Sequence, residues 1–475
     1  MKTRTGGARL PSVAAQRFSP RWLVTRLREL AGPLRGRHFC VAFSGGLDSS
    51  VLLTALAAVR TRSGFSLRAV HVDHGLHSQS GVWAAAARSQ ARALRVPCEL
   101  VRLRIEQPRG ESLEAVARQR RYGALAARLA PGELLLTAHH QEDQLETVLL
   151  ALLRGSGVRG LSAMAASSAI AHSLLLRPLL TVARAQLEQF ARARKLQWTE
   201  DLTNLDERFD RNYLRRLVLP LLRERWPAVA ATVSRSASHL AEAQGLLEFV
   251  ASAGVAQAAD GAALRISVLR GMSQAQRRNV LRCWIAARGL SAPDHRRLRE
   301  IAGPMLAART DALPRVQWRG GELRRHGDQL FALAQRDRGE PAAIERWDWH
   351  GRPWLPLGSG TALGLVADRH GDVDLAALPC PLRVDFRQGG ERLRESHGRV
   401  ALKDLLQSQG IAPWERAGVP LLRDRGRIVA VADLWVDAAY RADRSGAAPR
   451  GRFRWRRSDA VPEHAVGRGG RARGD

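Results

Sequence analysis

Short apolar runs alternate with longer Ala- and Leu-rich stretches between residues 38 and 138. The runs have the length of strands and lack in-and-out alternation, which is typical of strands buried on both faces of a sheet. They are Phe39–Phe43, Leu67–Val72, Glu99–Leu103 and Leu134–Ala138. The stretches between them predict helices at Ser49–Val59, Val82–Leu94 and Leu113–Leu129. We therefore predict an α/β domain whose parallel sheet binds ligands at the carboxyl ends of its strands.

The pattern after residue 201 is mainly helical, with a long helical stretch at Ala228–Val250 and Arg-rich amphipathic helices, two or three in number, within 265–335. Short strands and a helix around Leu402–Gln409 then predict a small α+β module. The predicted organisation is an N-terminal extension (1–36), the α/β domain (37–227), a helical domain (228–335), a linker region (336–380), a C-terminal α+β domain (381–444) and a basic disordered tail (445–475).

The net charge of the chain predicts the kind of partner it binds. The 475 residues carry 75 Lys and Arg against 45 Asp and Glu, a net charge of +30, which favours a polyanionic partner and nucleic acid first. The four cysteines form no CxxC pair, which argues against a disulfide framework, a zinc ribbon or an iron–sulfur site and fits a reducing cytosol. No apolar run or leader predicts a membrane span or signal peptide, so we expect a cytoplasmic protein. No pattern indicates an oligomeric state.

The motif Ser44-Gly45-Gly46-Leu47-Asp48-Ser49 directly follows the first predicted strand and opens the first helix. Glycines let backbone amides approach a ligand, and a helix N-terminus attracts an anion, so the motif predicts a pyrophosphate cradle. The motif lacks the lysine of a Walker loop. Asp48 would repel phosphate, and its useful role is to hold Mg²⁺ that bridges phosphates. The alternative is a plain tight turn.

Polar residues also follow the second strand, in His71-Val72-Asp73-His74-Gly75-Leu76. Their place at a strand's carboxyl end assigns them to the cleft. Hydrogen-bonded packing, nucleotide contact and metal ligation all remain open for them.

The fourth strand leads into His139-His140-Gln141-Glu142-Asp143-Gln144-Leu145-Glu146-Thr147. If a helix begins near Gln141, Asp143 and Glu146 share one face, and His140 stands at its mouth. These side chains could bind metal, hold a cationic substrate or transfer a proton. The alternative for Asp143 is a favourable interaction with the helix dipole.

A further polar face is predicted on the third helix, where Glu114, Arg118, Arg121 and Tyr122 fall on one side. A Glu–Arg pair four residues apart is often only a surface salt bridge, and that interpretation stays open here.

Together these motifs resemble the PP-loop ATP pyrophosphatase family, and within it the tRNA(Ile)-lysidine synthetases. The resemblance covers most of residues 38–440. It is carried by SGGLDSS, HVDHGL, EAVARQRRY and LLTAHHQEDQLETVLLALLRGSG, by Arg177–Leu180, Glu200–Asn204, Phe209–Asn212, Arg215 and Leu219-Pro220, and by Gly389–Arg392, Leu402–Asp404 and Pro413–Arg416.

The resemblance implies a ligase that joins free L-lysine to the wobble cytidine of a tRNA(Ile) with a CAU anticodon, consuming ATP with Mg²⁺ and releasing AMP and pyrophosphate through an adenylated tRNA. It implies that Asp143 or His140 holds the lysine ammonium and accepts its proton, and that the domains after residue 230 bind tRNA. The implied site residues are catalytic Asp48, Arg118, His140 and Asp143; ATP-binding Ser44, Gly45, Gly46, Leu47, Asp48 and Ser49; substrate-binding Arg121, Tyr122, His139, Glu146, Arg211, Asn212 and Arg215; and Asp48 as metal ligand.

Three other functions compete with this one. A PP-loop tRNA thiolase usually carries catalytic or cluster cysteines, and this chain has no CxxC. A small-molecule PP-loop synthetase would not need a charge of +30. An RNA-binding protein with a degenerate nucleotide fold would have a broken SGGxDS loop, whereas the loop here is intact.

Overall fold

The computed structural model describes residues 17–75, 79–104, 113–199, 206–309, 312–334, 344–358, 361–395, 398–443 and 449–456. The chain divides into two compact units, residues 1–246 and 247–475. The division falls within the long helix α10 (Val229–Ala258). No helix among the described residues is long and apolar enough to cross a membrane.

The first unit is an α/β domain built around one six-stranded sheet. Its strands are β1 (His38–Ala42), β2 (Ser66–Asp73), β3 (Cys98–Arg102), β4 (Leu134–Leu136), β5 (Ser167–Ile170) and β6 (Ser173–Leu176). Its helices before α10 are α1 (Pro20–Ala31), α2 (Leu47–Ser63), α3 (Ser80–Ala93), α4 (Leu113–Ala126), α5 (Gln141–Leu153), α6 (Val158–Leu161), α7 (Arg184–Ala193), α8 (Asp210–Tyr213) and α9 (Leu219–Arg225). The four predicted strands and the helices between them are confirmed.

The strand order in this sheet is β3-β2-β1-β4-β6-β5. Strands β1, β2, β3, β4 and β6 run parallel, and only β5 pairs antiparallel. The chain moves from β1 outward to β3 and then crosses back to place β4 on the other side of β1. The crevice outside the carboxyl ends of β1 and β4 is therefore the topological switch point, where open α/β sheets bind ligands.

The prediction of a separate N-terminal extension at 1–36 is corrected, because part of this segment forms α1. Leu23 and Leu27 are fully buried in the core of the first unit, and the backbone N–H of Phe18 donates to Gln186 Oε1 at 3.0 Å. Ser19 caps the helix by accepting from the Trp22 amide. The described part of 1–36 thus belongs to the α/β domain, because its apolar positions recur at helical spacing and pack on α2.

The described part of the second unit combines four helices that follow α10 with four antiparallel sheets. The helices are α11 (Ile266–Gly271), α12 (Gln274–Ala287), α13 (His295–Glu300) and α14 (Leu402–Ser408). Its strands are β7 (Ala259–Asp260), β8 (Ala263–Arg265), β9 (Arg315–Trp318), β10 (Gly321–His326), β11 (Gln329–Leu333), β12 (Ile344–Trp347), β13 (Trp354–Gly358), β14 (Thr361–Ala367), β15 (Val373–Asp374), β16 (Leu382–Phe386), β17 (Arg392–Glu395), β18 (Gly398–Ala401), β19 (Pro420–Asp424), β20 (Arg427–Val431), β21 (Trp435–Val436) and β22 (Arg450–Arg456).

Strands interrupt the region predicted to be helical. Helices α11, α12 and α13 are present, but β9, β10 and β11 form an antiparallel sheet with β8. Arginines interleaved in these short strands hid their alternation in the sequence, although Val316, Leu323 and Leu330 are buried.

The predicted linker 336–380 is also corrected. Its described residues include β12, which pairs with β16, and β14 and β15, which both pair with β22. Strand β13 joins the same sheet through β14. Trp347, Leu355 and Leu363 from this segment are buried in the same core as Leu382 and Val384. The polar residues around Pro341 suggested a linker, but apolar side chains that follow them must be buried.

The predicted disordered tail 445–475 contains an ordered strand, β22. Its sequence RGRFRWR alternates arginine with Gly451, Phe453 and Trp455, and Phe453 is buried beneath the sheet. The period of two predicts a half-buried strand, a signal that the basic composition outweighed. Residues 457–475 lie outside the described residues.

Candidate active site

The SGGLDS motif forms the turn from β1 into α2. Gly45 has φ of 81°, which favours glycine, and a Cβ there would lie 3.2 Å from the Ala87 Cβ. Gly46 is the N-cap of α2, and no side chain caps the helix there. Ser44 Oγ lies 3.0 Å from Ser49 Oγ. The loop thus presents backbone amides and a helix N-terminus at the switch point, whereas the buried Leu47 side chain packs in the core.

Asp48 lies in the first turn of α2, with its side chain 30% exposed. Its Oδ2 atom is 3.6 Å from Nε2 of His140, which immediately precedes α5. Its Oδ1 atom is buried and has no hydrogen-bond partner among the described residues. The two motifs that follow β1 and β4 therefore meet at this carboxylate.

His140 is buried and surrounded by carboxylates. Its Nδ1 atom is 3.1 Å from Glu142 Oε2, and its Nε2 atom is 3.5 Å from Asp143 Oδ2 as well as near Asp48. Burial disfavours the charged ring, but the charge of Asp143 and the hydrogen bonds to Asp48 and Glu142 outweigh burial and raise the pKa of His140 to about 10. Both ring nitrogens thus face acceptors, and the ring donates from both.

Asp143 and Glu146 lie one turn apart on α5 and share Arg215. The Arg215 guanidinium donates to Glu146 Oε1 at 2.7 Å, to Glu146 Oε2 at 2.9 Å and to Asp143 Oδ1 at 3.2 Å. Asp143 Oδ2 accepts from the His140 backbone N–H at 2.9 Å. Burial opposes ionisation of Asp143, yet the charges of His140 and Arg215 and the hydrogen bond from the His140 amide hold its pKa below the usual range. Asp143 is therefore ionised at neutral pH.

Glu146 is completely buried, which raises its pKa despite the pairing with Arg215. Arg211 is also close, with Nε 3.8 Å from Glu146 Oε2, and its Nη2 donates to Thr147 Oγ1 at 3.1 Å. Arg215 lies in a π-helical turn, Leu214–Val218, between α8 and α9. Such turns are often found at functional sites.

Asn212 is buried, and its Nδ2 donates to the Asp206 carbonyl at 2.9 Å. That contact fixes the segment that carries Arg211 and Arg215.

A second group of side chains is cationic. The guanidinium carbons of Arg118 and Arg121 lie 5.0 and 5.5 Å from the centre of the Tyr122 ring on α4. Burial lowers the pKa of the half-buried His139, and the positive charges of Arg177, Arg118 and Arg121 lower it further. His139 is therefore neutral beside three arginines, and this group offers an anion-binding surface.

The HVDH motif contributes to packing. His71 is buried, and its Nδ1 lies 2.9 Å from the Phe43 carbonyl oxygen, which ties β2 to the end of β1. Asp73 Oδ1 accepts from the Gly75 amide at 2.9 Å. These contacts agree with the packing interpretation. The side chain of Glu114, together with Leu76 and Glu200–Asn204, lies outside the described residues.

Two residues of this edge were missed as site residues. Glu142 bonds His140 and accepts from the Arg184 amide at 2.9 Å, and Arg177 follows β6 directly. Arg177 stands where a strand ends, the same signal that identified the other motifs. Glu142 gave no signal beyond its neighbours, because its role depends on the position of α7.

The residues at this edge fit a magnesium ion. Nucleotide-bound Mg²⁺ usually takes one or two carboxylates and completes its shell with phosphate oxygens and water. The buried Oδ1 of Asp48, which has no hydrogen-bond partner among the described residues, has the chemistry of such a ligand. Within the described ranges, no group of three or more His, Cys, Asp or Glu side chains could hold a metal alone. An ion here would therefore be shared with phosphate.

Family models match three segments of the chain. A PP-loop domain matches residues 21–222, the TilS substrate binding domain matches 264–331, and the TilS substrate C-terminal domain matches 382–455. The first segment contains the whole switch-point site.

Curated proteins are similar over most of the chain. A tRNA(Ile)-lysidine synthase of Alkalilimnicola ehrlichii is 42% identical, covering 88% of this chain and 93% of the relative. Those of Coxiella burnetii and Serratia proteamaculans are 36% and 40% identical, covering 90% and 88% of this chain and 94% and 95% of the relatives.

Proposed function

The chain belongs to the tRNA(Ile)-lysidine synthase family, and from this membership and its site we propose that it converts the wobble cytidine of a CAU-anticodon tRNA(Ile) to lysidine. The reaction consumes ATP and L-lysine and forms a carbon–nitrogen bond at C2 of the base. It releases pyrophosphate and then AMP, in the cytoplasm.

One observation carries this proposal: the glycine loop and the carboxylate cluster meet at the same switch point through the Asp48–His140 contact. A nucleotide triphosphate needs amides and a helix N-terminus, which the turn around Gly45 and Gly46 supplies. An amine nucleophile needs carboxylates within reach, which α5 supplies.

We assign Asp48 as the ligand of a magnesium ion bound together with ATP. When bound, the ion would neutralise charge that develops on the pyrophosphate leaving group. We propose that Arg118 and Arg121 bind a phosphate group, of ATP or of the tRNA backbone, because guanidinium groups contact phosphate through two parallel hydrogen bonds.

The first step joins the O2 atom of cytidine to the α-phosphate of ATP and breaks the bond to pyrophosphate. In the second step, the ε-amine of lysine attacks C2, and AMP leaves with the O2 oxygen. The amine ordinarily has a pKa of about 10.4, so a group must take its proton. His140 donates from both nitrogens to carboxylates, and we therefore propose Asp143 as the group that holds the ammonium and accepts the proton.

Glu146, Arg211 and Arg215 surround Asp143 and are proposed to shape the substrate pocket with Asn212, His139 and Tyr122. Because Glu146 is fully buried and paired with Arg215, its contribution is to fix the position of Arg215 beside Asp143.

Binding of tRNA is proposed for the second unit. Helices α12 and α13 line an open cleft of about 530 Å³ with Arg278, Arg282, Arg299 and His295. The pKa of Arg282 is lowered by burial and by the nearby charge of Arg278, so the cleft concentrates positive charge. Clustered arginines of this kind attract a polyanion.

The test is mass spectrometry of nucleosides from a CAU-anticodon tRNA after incubation with the protein, ATP, magnesium and lysine. A lysine adduct on cytidine is expected, with none when ATP or lysine is omitted. Isotopically labelled lysine must shift the adduct mass by the label. An unmodified cytidine in the complete reaction would refute the proposal, and a sulfur-containing nucleoside formed with a sulfur donor would favour the thiolase alternative.

A further inference from the structure

One face of the sheet β13-β14-β22-β15 carries arginines over a tryptophan. On β22, Phe453 faces the core. Arg452, Arg454 and Arg456 occupy the alternate positions of the strand and therefore lie on the outer face of the sheet. Side chains two residues apart on a strand are about 6.8 Å apart, so the three guanidinium groups form a row. The residues of β13 and β14 lie between the two matched substrate-domain segments, whereas most of β22 lies within the second of them.

The middle strand leaves room for this row. Gly364 pairs with Trp354 on one side and with Arg454 on the other, and Ala362 pairs with Arg456. A Cβ at Gly364 would lie 2.7 Å from the Trp354 ring, so the indole rests directly on the backbone of the strand. A larger residue at this position would lift the ring from the sheet.

Trp354 in turn supports Arg456. The Arg456 guanidinium carbon lies 3.8 Å from the centre of the indole ring, which is a close cation–π stack. One side of the ring is covered by the sheet and the other by the guanidinium, so the ring is not free to stack on a base. The stack fixes the plane of the guanidinium and leaves its N–H groups for an external acceptor.

The charges on this face are poorly balanced. Arg452 pairs with Asp368 at 3.4 Å and donates to the His370 carbonyl at 2.9 Å. Arg454 and Arg456 are exposed, and neither forms a salt bridge in the described part of the chain. Asp368 is the carboxylate nearest in effect, since the charges of Arg452 and Arg454 both help to lower its pKa. Three arginines that share one carboxylate on a sheet carry excess positive charge, which favours a ligand with repeated negative charges.

We propose that the outer face of β13, β14 and β22 binds the phosphate backbone of tRNA, with Arg454 and Arg456 as the contacts and Trp354 as the residue that positions Arg456. The proposal rests on the proposed function, because it names a surface that holds the same substrate. It assigns the two contacts to the segment predicted as a disordered tail and the positioning residue to the segment predicted as a linker.

The test compares tRNA binding by the full chain and by an Arg454→Gln/Arg456→Gln double variant. The double variant should raise the Kd on the order of tenfold and lower the slope of log Kd against log salt concentration by about one per arginine. The matched control is Arg62→Gln, which removes an exposed charge from the last turn of α2 and should leave both values unchanged. Wild-type affinity and slope in the double variant would overturn the proposal.

The role of Trp354 has its own readout. Trp354→Ala keeps every charge, so simple electrostatic attraction predicts no change, whereas loss of the platform should raise the Kd severalfold. Trp354→Phe retains an aromatic platform and should restore part of the affinity, which also controls for folding. Equal affinity of the Ala variant and the wild type would refute the positioning role.

Lysidine formation at saturating tRNA separates this inference from the proposed function. The double variant should approach the wild-type turnover there, because its defect lies in binding. If the wild type makes no lysidine but the double variant still binds tRNA more weakly, the proposed function fails and the binding surface stands. If the wild type makes lysidine and the double variant binds tRNA normally, the proposed function stands and the binding surface fails.

Discussion

The carboxyl edge of the first sheet and the outer face of β13, β14 and β22 use charge in opposite ways. At the sheet edge, Asp143, Glu146 and Arg215 are buried or half-buried and bound to one another. On the outer face, Arg454 and Arg456 are exposed and form no salt bridge among the described residues. Charges fixed in a region of low dielectric act strongly at short range, whereas solvated charges act weakly and are screened by salt. The first arrangement suits chemistry and the second suits binding of a polyanion.

Asp48→Asn tests the role of fixed charge at the sheet edge. Removal of this carboxylate should reduce lysine-dependent AMP release to background, because the remaining amide cannot replace a charged oxygen ligand. The affinity for tRNA should stay within about twofold, because a single site charge contributes little to polyanion binding. The measurement is AMP release at saturating tRNA beside a binding titration. Asp372→Asn, an exposed change in the second unit, is the matched control, and wild-type turnover in Asp48→Asn would remove this residue from the mechanism.

Asp143→Asn should slow the second step more than the first. Asparagine keeps the size of the side chain but cannot take a proton or balance an ammonium, and loss of a general base typically costs about 10²–10⁴-fold. A quenched time course with ATP labelled at the α-phosphate should show accumulation of adenylated tRNA. Absence of labelled tRNA at all times would instead indicate that Asp143 serves adenylation, and an unchanged rate of lysidine formation would leave it only a helix-dipole role.

Two matched substitutions compare an arginine paired in the site with an exposed arginine in the second unit. Arg215→Met leaves the fully buried Glu146 without its bidentate partner and should destabilise the fold by about 3–5 kcal/mol. Arg282→Met in the cleft of α12 and α13 should change the free energy of unfolding by less than about 0.5 kcal/mol and weaken tRNA binding. Chemical denaturation measures the first effect and a binding titration the second. Equal stability of the two variants would contradict the distinction.

A modest effect on stability is expected at the opposite edge of the first sheet, where Glu133 is buried against Arg68. Burial would raise the Glu133 pKa, but the hydrogen bonds from Arg68 and the Ala130 amide hold the pKa below its usual value. A lowered folded pKa stabilises the protein above the unfolded pKa of about 4.3, and this contribution is lost as the pH falls through the folded value.

Glu133→Gln should therefore cost about 1–3 kcal/mol at pH 7 and flatten the decline of stability below pH 4.3. Denaturation curves between pH 3 and 7 provide the check. A variant that retains the full acid dependence of the wild type would assign that dependence to other carboxylates.

The sequence was most informative where chemistry is local. The glycine loop and the polar residues after β4 follow buried strands directly, so Asp48, His140 and Asp143 could be assigned to one edge before their distances were known. Glu142 and Arg177 depend on contacts between elements distant in sequence, and no local pattern reports such contacts. The roles of individual site residues remain predictions.

The second unit was predicted less well because composition outweighed pattern. Arginine-rich strands such as β10 and β22 have polar side chains on one face and buried residues, Leu323 and Phe453, on the other. Their alternation extends over only a few residues, which a search for long helices or low-complexity tails passes over. Strands β12, β14 and β15 pair with β16 or β22, which lie far along the chain. The local sequence of a segment does not indicate such distant partners.

The π-helical turn at Leu214–Val218 makes the length of this segment as important as its composition. A π turn accommodates one residue more than an α-helical path, and each residue of an α-helix advances the chain by about 100°. Deleting one residue between Arg215 and Leu219 would restore the ordinary spiral and rotate the start of α9 by about that angle relative to the two arginines. Insertions and deletions here would consequently be selected against even where every substitution is tolerated, and variation in homologous genes should preserve the residue count between Arg215 and Pro220.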